Sequence, residues 1–150
     1  MQNNLAEQES SSVIFIRFNV PSLKNSKIMG KFPSKTVMKW LRLYGIKHYS
    51  SSRKEVKYFK TIKPKYNFEE IVAPLREYKN YPLKMGFHFI RDSKRDWDFG
   101  NACQIIQDLL VAFDVIPDDN VNYLLPFPLE IGGEYWHINK DNPGVIIKIL

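Results

Sequence analysis

The stretch DWDFGNACQIIQDLLVAF, residues 96–113, sets the reading of the chain. Ala102, Ile105, Ile106, Leu109, Leu110 and Phe113 recur at spacings of 3, 1, 3, 1 and 3, the stripe of an amphipathic helix with one buried face. Asn101, Gln104 and Asp108 run along an adjacent stripe and so face whatever lies beside the helix. Upstream, Asp96 and Asp98 stand at i and i+2, which in an extended segment turns both carboxylates to one side. Asp118 and Asp119 follow the helix. A helix over about 100–114 spans roughly 20 Å, so the two acidic pairs meet only if the chain doubles back.

Working outward, PLKMGFHFIRD (82–92) alternates Leu83, Met85, Phe87 and Phe89 against Lys84 and His88, a strand with one buried face and His88 at the surface. VIFIRFNV (13–20) reads as a strand stopped by Pro21. NFEEIVAPLREYKNY (67–81) has a capping Asn67 and early Glu69 and Glu70, which predict a helix that Pro74 interrupts. Pro117 and Asp118 mark a turn before a strand expected at 121–125, Gly132 and Gly133 predict a hairpin, and VIIKIL (145–150) closes the chain as a strand. Residues 1–12 are polar and aperiodic and read as a mobile tail, leaving 13–150 as one domain. No internal repeat is present.

Charge is unevenly distributed. Between Lys24 and Lys65 there are thirteen Lys or Arg against one acidic residue, Glu55, so that stretch carries +12 in a chain of net charge +6, and the remainder sums to −6. Lys24, Lys27 and Lys31 lie in a loop punctuated by Pro21, Asn25, Gly30 and Pro33. Ser34 then caps a helix KTVMKWLRLYG with Lys35, Lys39 and Arg42 on its polar side, and IKHYSSSRKEVKYFKTIKPKY (46–66) mixes lysines with tyrosines without a clear period. Such a surface suits a polyanion, with aromatics available for stacking, although a merely solvated basic face has the same composition.

Several classes lose support. The start is polar and no apolar run approaches the roughly 18 residues of a membrane span, so a soluble, cytoplasmic protein with no membrane partner is expected. Cys103 is the single cysteine, which excludes an internal disulfide and reads as a buried helix residue. No P-loop, nucleophile-elbow, zincin or dinucleotide-binding pattern occurs, and paired-carboxylate glycosidase chemistry fits poorly with the +12 segment. Two or three Asp suit Mg²⁺ or Mn²⁺, which activates water and stabilises a leaving oxygen in phosphodiester cleavage. The same spacing also fits a bland alternative, in which Asp98 caps the helix and Asp118 opens the next turn.

Three stretches together resemble the RusA family of Holliday junction resolvases, small endonucleases of phages and prophage-bearing bacteria that act in DNA recombination and repair. VPSLKNSK is similar to the family's Pro-Ser-x-x-Asn opening, through Pro21, Ser22 and Asn25. DWDFGNACQIIQDLL resembles its Asp-x-Asp-Asn followed by a helix ending in Asp-x-Leu, and IPDDN its Asp-Asp after that helix. The resemblance spans about residues 13–125. It implies an α+β domain with a mixed β-sheet and flanking helices, acting as a homodimer on four-way junctions in branched DNA, with Mg²⁺ (or Mn²⁺) and no other small-molecule cofactor. It implies Asp96, Asp98 and Asp119 as catalytic metal ligands, with Asp118 the alternative of the last pair. Lys24, Asn25, Lys27, Lys31, Lys35, Lys39, Arg42 and Lys94 would then contact DNA, with Asn101 and Gln104 contributing from the helix stripe. The chain departs from the family twice. Phe99 and Gly100 separate Asp98 from Asn101, and Gln104 stands where the family carries a lysine that stabilises developing phosphorane charge. A catalytically weak or inactive protein that binds branched DNA is therefore the second expectation, and a structural domain with solubilising lysines the third.

Overall fold

The structure, a computed structural model, describes residues 13–20, 22, 48–50, 55–57 and 66–150. Its centre is β4, Leu83–Arg91, buried at every position except Lys84. On one edge β4 pairs antiparallel with β7 (Gly144–Ile149), which pairs antiparallel with β1 (Val13–Arg17). β4 also pairs in parallel with β5 (Leu124–Pro128) through Leu83–Phe87, and with β6 (Trp136–Ile138) through Phe89–Arg91. The protein is thus α+β, with a mixed five-stranded sheet, as expected. A separate antiparallel pair joins β2 (His48–Ser50) to β3 (Glu55–Lys57).

Strand alternation sends Leu83, Met85, Phe87 and Phe89 to one face, where they join Ile14, Ile16, Val145 and Ile147 in the core. Two helices cover that face. The first, α1 (Phe68–Val72), starts where the Glu70 N–H donates to Asn67 Oδ1 at 3.2 Å. It gives way to a 3-10 turn over Ala73–Glu77 because Pro74 has no N–H and its ring crowds the preceding turn. The second, α2 (Phe99–Ala112), buries Ala102, Ile105, Ile106, Leu109 and Leu110, the stripe read from the sequence. Cys103 is buried on the same helix, and desolvation pushes its thiol pKa up, so it stays a packing residue.

The second face corrects one expectation. His88 is not at the surface: it is 0 % exposed. Its Nδ1 lies 2.8 Å from the Leu129 carbonyl and its Nε2 2.8 Å from His137 Nδ1. A carbonyl only accepts, so Nδ1 carries the proton of this ring and donates to Leu129. The sheet is covered here because Leu129 folds over Gly86, where an added Cβ would lie 3.1 Å from Leu129 Cβ. Boundaries also move. β1 ends at Arg17 rather than 20, α1 and its 3-10 turn end at Glu77, and β5 begins at Leu124 because 121–123 form a turn. The Gly132 and Gly133 turn forms as expected, bridging Ile131 to Glu134, whereas β6 had no signal. The helix expected over 35–45 lies outside the described residues. Among the described residues no helix is long and apolar enough to cross a membrane.

Gly144 sits opposite both Arg17 and Ile90, and a Cβ there would lie 2.5 Å from the Ile16 carbonyl oxygen. Backbone cannot yield as a side chain does, so Gly144→Ala is expected to cost about 1–3 kcal/mol. Val121→Ala, at a residue 71 % exposed, is expected to stay within about 0.5 kcal/mol. Urea unfolding of the two variants checks this, and equal midpoints would contradict the register.

Candidate functional site

The site is built where β4 ends and α2 begins. Arg91, last residue of β4, is buried, donates from Nη1 to the Val20 carbonyl, and lies 5.0 Å from the Trp97 ring centroid. Burial lowers its pKa, opposed by Asp92, but a guanidinium holding these partners stays charged. The Asp92 N–H donates to Asn19 Oδ1 at 3.2 Å. Asn101 Nδ2 donates to the Ser22 carbonyl at 2.9 Å. Three links therefore hold Asn19, Val20 and Ser22 across the strand end and the first turn of α2.

Asp98 is the N-cap, with extended backbone (φ −113°, ψ 117°), and its Oδ1 accepts from the Asn101 N–H at 2.8 Å. The capping role considered for it is present. It spends one carboxylate oxygen and leaves lone pairs for a cation. Asp96 is exposed, two residues upstream. Beyond the helix the chain does double back. Gln104 Nε2 donates to Asp119 Oδ2 and to Asp108 Oδ1, both at 2.8 Å, so one amide joins two carboxylates. Asp118 opens the turn: its Oδ1 accepts from the Asp119 N–H at 2.7 Å and its Oδ2 from Asn120 Nδ2 at 2.9 Å. These bonds, the backbone one foremost, hold its carboxyl below the usual range.

The aspartates thus form two groups along α2. Asp96 and Asp98 stand at its start, while Asp119 stands beside Gln104, about 9 Å further along the axis at 1.5 Å per residue. Among the described residues no three His, Cys, Asp or Glu gather as a metal-holding cluster. Mg²⁺ does not require one, because it is commonly held by one or two carboxylates, waters and substrate phosphates. The donor set fits that mode: hard oxygens remain on Asp98 and Asp119 after their protein bonds. The partial positive charge at the start of α2 works against a cation at Asp98, so a cation there would call on a second carboxylate such as the exposed Asp96. Lys94 is exposed at the turn after β4; Lys24, Asn25, Lys27, Lys31, Lys35, Lys39 and Arg42 lie outside the described residues. Sequence reasoning left Asp108 without a role, although its i+4 spacing from Gln104 was the available signal.

Capping and chemistry at Asp98 are separable by substitution. Asp98→Ala is expected to destabilise by about 0.5–2 kcal/mol, and Asp98→Asn by much less, because Asn caps as well as Asp. Thermal unfolding checks the pair; equal losses would show that the cap contributes nothing. No family model matches the chain, and no curated protein or solved structure matches it.

Proposed function

We propose that this chain is a divalent-metal-dependent endonuclease acting on branched DNA at four-way junctions, in the manner of the RusA-like enzymes its motifs resemble. One observation carries it. Two other stretches of the chain meet α2 beyond its Asp98 cap: Ser22 at Asn101, and Asp119 at Gln104. These are the stretches that carry the resemblance.

Asp96 and Asp98 would hold Mg²⁺ or Mn²⁺, with Asp119 further along the helix at Gln104 and Asp118 engaged in shaping its turn. A bound divalent cation would lower the pKa of a water and neutralise phosphodiester charge. The chain's own contribution is positioning: Asn101 holds Ser22 against the helix, and Gln104 fixes the Asp119 carboxylate. A homodimer, which pairs two such sites across a two-fold axis, and a cytoplasmic location belong to this proposal.

A second reading, junction binding without cutting, is favoured by Gln104. Its amide joins Asp108 and Asp119 without supplying the cation that would stabilise a phosphorane.

On a labelled four-way junction in Mg²⁺, the protein is expected to give paired nicks that EDTA abolishes. Asp98→Asn should remove cutting, at least about 100-fold given the scale of single electrostatic contributions, and leave binding within a few-fold. Cutting unchanged by Asp98→Asn would overturn the assignment. A shifted, uncut junction would favour the second reading, in which case Gln104→Lys is the variant expected to restore nicking.

A further inference from the structure

Trp97, Phe99, Pro128, Tyr135 and Trp136 line an open cleft of about 430 Å³ beside the start of α2. That volume lies within the range of about 300–1,000 Å³ usual for ligand pockets. Its rings meet at steep angles. Trp97 and Trp136 are 5.5 Å apart at 69°, and Trp97 and Phe99 are 6.3 Å apart at 56°. Phe89 of the core backs both, at 5.3 Å from Trp97 and 5.6 Å from Phe99. The inner rings are therefore fixed edge-to-face, and the outer ones keep an open face. Trp136 is 37 % and Tyr135 57 % exposed. The Tyr135 hydroxyl has no hydrogen-bond partner among the described residues.

We propose that this cleft takes one unstacked nucleobase of a DNA strand, by stacking on Tyr135 and Trp136. The identity of the ligand rests on the endonuclease reading above. Trp97 lies between Asp96 and Asp98 in the chain, so the cleft adjoins the segment that carries these carboxylates, whose side chains alternation turns the other way. Lys94 and Arg95 are exposed immediately upstream, where they can meet the phosphates flanking an inserted base. A base presents a flat π-face, which matches a cleft walled by aromatic rings. A base that is already single-stranded or mismatched costs least to unstack, and stacking tolerates any base because each has a π-face. The excursion 129–135, which carries Tyr135, is held to β4 by the Leu129 and His137 bonds to His88, so the outer wall stands on a fixed support.

The experiment is fluorescence anisotropy of a labelled eight-nucleotide deoxythymidylate strand and of an abasic strand of equal length, without metal, on the full chain and on Tyr135→Ala. The base-containing strand is expected to bind about tenfold or more tighter than the abasic one, and Tyr135→Ala to remove most of that difference. Circular dichroism controls for folding, and Trp136→Leu provides a second variant with the same expected loss. Equal affinity for the two strands, or no binding of either, overturns the cleft assignment. Junction nicking is read separately. A protein that discriminates the strands without cutting junctions keeps the cleft and loses the nuclease reading, and one that cuts without discriminating loses the cleft alone.

Discussion

The structure depends on β4, a nine-residue strand with hydrogen-bonded partners on both edges and side chains buried on both faces. Two short strands, β5 and β6, pair with it in succession, so the chain between Pro128 and Trp136 must leave the sheet and return. His88 faces that gap, and its two ring nitrogens bind Leu129 and His137 on either side of the excursion. An unpaired imidazole buried there would be costly; with both nitrogens engaged it fastens the excursion to the sheet. The far end of β4 does the same for the functional side. Arg91 reaches back to Val20, and from there Ser22 meets Asn101 on α2.

Electrostatics around α2 pull in opposite directions. The helix start carries about half a positive charge and favours anions, which stabilises Asp98 as a cap and disfavours a metal beside it. Further along the helix, Asp108 and Asp119 share one neutral amide, which bonds both without cancelling their charge. A lysine at this position would set a positive charge against these carboxylates, whereas glutamine supplies only the two hydrogen bonds.

Much of the fold was legible because its elements carry strong periods. The spacing of Ala102 to Leu110 and the alternation of Leu83 to Phe89 gave α2 and β4 almost to their ends. His88 was misread because alternation assumes one wet face, and Leu129, forty-one residues away, dries the other. β6 is three residues long and pairs only because the Gly132–Gly133 turn returns the chain, a signal that no window on WHI contains. At the candidate site, the carboxylates were visible as residue types, and Asp98 as a cap. Their partition into two groups was not, since it follows from the turn after α2, where Val115 and Ile116 bury and set Asp119 against Gln104. The aromatic cleft gathers residues from 97 to 136, and that gathering is a product of β4 pairing rather than of spacing.

The most direct test of the central claim, that both acidic groups on α2 serve one cation-binding face, is Mn²⁺ titration followed by amide NMR. Paramagnetic broadening is expected to remove the signals of residues 96–101 first and those of 104, 108 and 119 next, with the whole effect lost in Asp98→Asn. Broadening centred elsewhere, or confined to one group and unchanged by Asp98→Asn, would contradict the account.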